Sequence, residues 1–131
     1  MSDFEASVEK LIVLDPRYPR EAYLYLRSAL DHTQALYNRT GHVSVNELLE
    51  GIREYTLKQY GPMSALLLEE WGIRSCVDLG ELVFNLIEAG ELRKTEQDRR
   101  EDFAAGYRFY DAFRKPYLPT EARSPAPDRP G

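Results

Sequence analysis

The sequence predicts a mostly α-helical domain with a small β-hairpin, an α+β fold that is winged-helix-like, with about five helices plus a wing. Three observations predict it. Apolar residues recur at spacings of three and four through most of the first 89 positions. Each such run is bounded by capping or breaking residues. After the last glycine stop comes a charged stretch with alternating aromatics, where a wing stands after two helices joined by a short turn.

The first helix is expected over residues 3–14. Phe4, Val8, Leu11 and Ile12 share one face, Asp3 is a plausible cap, and the DPRYP stretch stops the run. Pro19 suits the first turn of a second helix that reaches about Tyr37. Ala22, Leu26, Ala29, Leu30, Thr33 and Leu36 point inward there, flanked by Tyr23 and Tyr25, and NRTGH breaks it. The third helix has the clearest start. Ser44 and Glu47 form an S-x-x-E capping box, in which the hydroxyl takes the N3 amide and the carboxylate reaches back to the cap amide. Leu48, Leu49, Ile52, Tyr55 and Gln59 follow at helical spacing until Gly61-Pro62. A short fourth helix presents Met63, Leu66, Leu67 and Trp71. Gly72 stands where a left-handed residue closes a helix, with Ile73 as its apolar contact. A fifth, with Ser75 and Asp78 at its start, runs to Ala89 with Leu79, Leu82, Val83, Leu86 and Ile87 buried, and Gly90 ends it.

Beyond Gly90 two readings compete. Phe103, Ala105, Tyr107 and Phe109 alternate as a half-buried strand does, which makes a hairpin with strands near 91–95 and 102–110. Phe103, Tyr107, Tyr110 and Phe113 also have helical spacing, which makes a helix capped by Thr95. The order of elements favours the hairpin, with Val43 as a short third strand. The folded domain is expected to span residues 1–118, and the proline-rich stretch 119–131 to be disordered.

Composition narrows the function classes. The chain has 131 residues and a formal net charge of −5, which disfavours bulk attraction to nucleic acid or to an anionic membrane. Residues 44–90 carry 8 acidic and 3 basic side chains, whereas residues 91–115 carry 7 basic and 6 acidic, so an acidic block precedes a locally basic one. The lone cysteine, Cys76, has no internal disulfide partner. The first ten residues hold neither a basic nor an apolar run, and no stretch is apolar enough to span a membrane. These features together predict a cytoplasmic protein.

The segments DPRYPREAYLYLRSALD, HVSVNELLEGIREYTLKQYGPM, LEEWGI, DLGELVFNLIEAGEL and REDFAAGYRFYDAFRKPY together resemble the Minf-type family of small conserved hypothetical bacterial proteins, over roughly residues 4–118. The resemblance implies a shared architecture that includes FRKPYLP. It implies no activity, cofactor or catalytic residue.

The residues themselves point away from chemistry. GxGxxG, Walker, HExxH and CxxC motifs are missing. His32 and His42 fall short of a zinc ligand set. Cys76 at a helix start is a conceivable nucleophile, since that position lowers a thiol pKa. A buried structural cysteine is the plainer reading. Glu69 and Glu70 are adjacent and so point in different directions on a helix. No enzyme, metal or cofactor is expected.

Two surfaces remain. The aromatic and basic C-terminal residues Tyr107, Phe109, Tyr110, Phe113, Arg114, Lys115 and Tyr117 are candidate contacts for a protein partner, a homodimer among the options. Their alternative is to fold back onto the domain. Arg93, Lys94, Arg99 and Arg100 of the expected hairpin are candidate phosphate contacts, although Glu96, Asp98, Glu101 and Asp102 interleave with them. Asp78, Glu81 and Glu88 make the fifth helix a poor reader of duplex DNA. A protein-binding or regulatory role is therefore the first expectation, and nucleic-acid or ribonucleoprotein binding through the basic hairpin the second.

Overall fold

A computed structural model describes residues 3–39, 41–93 and 99–119. Six helices follow one another: α1 (Asp3–Leu14), α2 (Arg20–Leu36), α3 (Val45–Tyr60), α4 (Ser64–Glu70), α5 (Cys76–Glu88) and α6 (Arg100–Ala104). A 3-10 turn (Gly61–Met63) leads into α4, and a single π turn (Tyr110–Arg114) followed by a 3-10 turn (Lys115–Tyr117) closes the described chain.

The punctuation read from the sequence is present in detail. The Ser44 hydroxyl accepts from the Glu47 amide at 3.1 Å, and the Glu47 carboxylate accepts from the Ser44 amide at 2.9 Å. Gly72 has φ +77°, and the amide of Ile73 reaches back to the Leu68 carbonyl at 2.8 Å, which completes a Schellman stop. Gly90, at φ +81°, ends α5 the same way. Pro19 is the N-cap of α2 rather than a residue of its first turn. Ser75 makes no side-chain cap bond; instead the Asp78 carboxylate takes the Arg74 amide at 2.8 Å.

The core lies between α2, α3 and α5. Tyr18, Tyr23, Leu26, Ile52, Leu68, Ile73, Leu79, Leu82 and Leu86 are essentially inaccessible within it. Helices α2 and α3 pack tightly because Thr33 faces Gly51, where any β-carbon would collide with it. Tyr25 hydrogen-bonds Thr56, and its ring sits 5.3 Å from that of Trp71. Leu36, expected inside, is 41% exposed as the last residue of α2.

The β-hairpin and with it the winged-helix reading are overturned. Among the described residues there is no strand, and the fold is all-helical there. Residues 94–98, with the Thr95 cap, lie outside the described residues, as does the tail from residue 120. Beyond them the chain turns into α6, whose first turn holds Glu101 and Asp102, acids that favour a helix N-terminus. Phe103 sets the conformation. It is 1% exposed, packs edge-on to Phe84 at 6.4 Å between centroids, and lies against the bare backbone of Gly80 in α5. Gly106 then passes over Cys76 and Leu49, where a β-carbon would come within 2.8 Å of both. The alternating aromatics are thus a helix turn and a close glycine crossing rather than a strand. Val43 is buried but sits in an irregular segment and pairs with nothing as a strand.

Helix α4 also turns a different face inward. Ser64, Ala65 and Leu68 are buried, while Met63 and Leu66 are 50% and 52% exposed. The small residues let α4 lie close on α3, with the Ser64 hydroxyl donating to the Gly61 carbonyl at 2.7 Å and reaching the Thr56 carbonyl at 3.2 Å. Two large apolar side chains are thereby left facing water.

Candidate functional site

The C-terminal segment folds back on α3, α4 and α5 and divides the aromatic candidates in two. Tyr107 points inward: its hydroxyl donates to the Leu49 carbonyl at 2.8 Å, and its own carbonyl accepts from the Cys76 thiol at 3.3 Å. Phe109 and Phe113 stack edge-to-face at 5.0 Å, and Phe113 packs edge-on to Tyr107 at 5.9 Å. These three form an internal triangle that fastens the segment. Tyr110 and Tyr117 are left 53% and 43% exposed.

Burial pushes the Tyr107 phenol well above its usual range, and it pushes the Cys76 thiol up to about 11, against the lowering effect of its hydrogen bond to Tyr107. The position of Cys76 at the first residue of α5 does not prevail over that burial. The thiol faces a carbonyl inside the protein and is a donor there.

The exposed pair joins the uncovered residues of α4. The Tyr117 hydroxyl lies 4.0 Å from where a β-carbon on Gly61 would stand, just before Met63. Arg114 bonds Glu69 of α4 at 2.8 Å, and Tyr110 precedes Arg114 by one turn. Met63 and Leu66, at and just before α4, and Tyr110 and Tyr117 of the C-terminal segment are thus exposed apolar side chains on two elements that the Glu69–Arg114 ion pair joins. Their charged neighbours Glu70, Arg108, Asp111 and Lys115 make no ion pair among the described residues.

The basic candidates are not brought together as a wing. Arg100 is exposed but engaged within the chain, ion-paired with Glu81, 3.6 Å from Glu88 and 5.1 Å above the Phe84 ring. Arg93 and Arg99 are exposed, on either side of the residues outside the description, which include Lys94. Among the described residues no group of three His, Cys, Asp or Glu side chains is placed to hold a metal ion. His32 bonds Glu54 at 3.2 Å.

A groove of about 700 Å³ runs between the end of α2, the α2–α3 connection and α5. Val43, Leu48, Val83 and Phe84 form its floor, and Arg27, Asp31, Glu91 and Arg93 stand on its rim. Asp31 lies 3.9 Å from Arg27, and Glu91 accepts from the Ser7 hydroxyl at 2.8 Å. The rim charges are thus mixed in sign, and the acids are engaged with the protein itself.

Compared with family models, curated proteins and solved structures, the chain matches none.

The sequence offered Tyr110, Arg114, Lys115 and Tyr117 as candidate partner contacts and assigned Met63 and Leu66 to the core, whereas the structure leaves Met63 and Leu66 half exposed. One signal for them was present. Ser64, Ala65 and Leu68 offer a narrower inner face, and small residues are what close approach to α3 selects.

Proposed function

We propose that this chain is a non-catalytic protein-binding module that docks its partner on the face formed by α4 and the C-terminal segment. The observation that carries this reading is the exposure of four large apolar side chains, Met63, Leu66, Tyr110 and Tyr117, on two adjoining elements, whereas the other exposed ones, Val13, Leu14, Leu24, Leu36 and Val77, belong to α1, α2 and α5. Apolar side chains gathered on one face, rimmed by charge, are the usual mark of a contact surface, and aromatic and methionine side chains are enriched in such contacts. The internal Tyr107–Phe109–Phe113 triangle supports the reading because it holds the segment on a rigid base rather than a loose tail. The inward thiol of Cys76 supports the absence of nucleophilic chemistry. A cytoplasmic setting fits a lone reduced cysteine.

Site-specific photocrosslinking tests it. A crosslinking residue at Leu66 or Tyr110 is expected to trap a protein, while the same group at Leu24, 40% exposed on α2, traps none. Equal trapping from all three positions contradicts the assignment.

A further inference from the structure

The groove between α2, the α2–α3 connection and α5 is separate from the docking face. Its volume of about 700 Å³ lies within the range of small-molecule sites. Leu30 of α2, Val43 of the connection, Leu48 of α3, and Val83 and Ile87 of α5 line it with hydrocarbon. Val43, Leu48 and Val83 are buried at its base, and Leu30 and Ile87 are half-buried. These side chains offer no polar atom. A peptide laid along them would leave amides without partners, whereas a hydrocarbon body has none to satisfy.

The rim decides the polar end of the ligand. Arg27 stands 5.5 Å over the Phe4 ring of α1 and 3.9 Å from Asp31. Glu91 accepts from the Ser7 hydroxyl of α1, and the Gln34 amide donates to the Gly41 carbonyl at 2.8 Å. Phe4 and Ser7 lie about one turn apart on α1, so Arg27 and Glu91 are both engaged by that helix. Of these rim groups Arg93 alone is exposed with neither an ion pair nor a hydrogen bond among the described residues. The unmet charge at the groove is therefore a cation. A guanidinium is a planar fork that fits a carboxylate with two parallel bonds. A phosphate carries more charge than one base can meet. We infer that this groove binds a small amphipathic carboxylate, its hydrocarbon body on the floor and its head on Arg93. The head pairs at an exposed site, so the body supplies most of the affinity and the head the choice between ligands.

Amide NMR titration of the full chain with octanoate, and with octan-1-ol as its uncharged match, tests the inference. Octanoate is expected to shift the amides of Leu30, Val43, Val83 and Ile87 saturably, with a dissociation constant on the order of 1 mM, and to leave those of Met63 and Leu66 in place. Arg93→Glu, a change at an exposed site, turns attraction into repulsion. It is expected to raise that constant at least about fivefold with the helical circular dichroism unchanged. Octan-1-ol is expected to bind the wild type more weakly than octanoate does and to bind Arg93→Glu equally well. Leu66→Glu is expected to bind octanoate as the wild type does, because the groove does not depend on the docking face. The inference is overturned by the absence of saturable shifts up to about 20 mM, or by shifts centred outside the groove. It is equally overturned if octan-1-ol binds as tightly as octanoate, if octanoate is indifferent to Arg93→Glu, or if Leu66→Glu abolishes its binding.

Discussion

Gly51 of α3 and Thr33 of α2 meet at the closest point of the two longest helices: a β-carbon on Gly51 would stand 2.6 Å from the Thr33 Cβ. The buried Thr33 hydroxyl donates to the Ala29 carbonyl of its own helix at 2.7 Å, and the same oxygen is the atom nearest Gly51, 1.9 Å from where a β-carbon would stand. Gly51→Ala gains up to about 1 kcal/mol of helix propensity. It also forces two stiff elements apart, and overpacking of this kind costs about 1–3 kcal/mol. A net loss of about 1–2 kcal/mol in urea unfolding is expected. A neutral or stabilised variant would mean the helices do not approach this closely.

Phe103 is the fastener of α6. It is buried against Gly80 and Phe84 in the place the sequence assigned to a wing. Phe103→Ala is expected to cost about 3–5 kcal/mol, as for other buried aromatic truncations. Thermal melting checks this, and a loss below about 1 kcal/mol would place Phe103 at the surface.

Cys76 yields a prediction in pH. Its thiol has an ordinary value of 9.0 and is raised to about 11 by burial. Between those values the unfolded chain releases the proton and the folded chain keeps it. The unfolded state then binds fewer protons, so stability falls as pH rises from about 9 through about 11. Buried Tyr107 and Tyr25, also raised by burial, act in the same direction at higher pH. Cys76→Ala is expected to flatten the first part of that decline in denaturant titrations. At pH 8 the native thiol is expected to react with a thiol reagent only at the rate of opening, far more slowly than in the denatured chain.

Tyr18 and Asp78 join the α1–α2 connection to the start of α5. The buried Tyr18 hydroxyl donates to one carboxylate oxygen at 2.6 Å, and the other takes the Arg74 amide. Tyr18→Phe leaves the carboxylate one donor short. A loss of about 1.5–3 kcal/mol is expected for a bond to a charged group. An unchanged unfolding midpoint would show the connection to be held by packing alone.

Much of the helical frame was legible because helix ends are written locally. Ser44 with Glu47, and Gly72 with Ile73, each specify a stop or start within four residues. The wing was misread because Phe103, Ala105, Tyr107 and Phe109 satisfy a strand's alternation while their actual partners, Gly80, Cys76 and Leu49, lie far away in sequence. The period cannot report that Gly106 must pass flat over Cys76. Helix α4 was misread for a related reason. Apolar periodicity selected Met63 and Leu66, whereas the inner face was chosen by the small volumes of Ser64 and Ala65. The C-terminal aromatics were singled out together as candidate partner contacts, but which of them point inward depends on long-range bonds such as Tyr107 to Leu49.

The docking face is tested most directly by affinity capture from native lysate with wild type, Leu66→Glu and the control Leu24→Glu, after nuclease treatment and at moderate salt. The account predicts a protein retained by wild type and by the α2 control and lost with Leu66→Glu, while all three keep the same helical circular dichroism. Retention by Leu66→Glu, or loss of all binding on nuclease treatment, would contradict it.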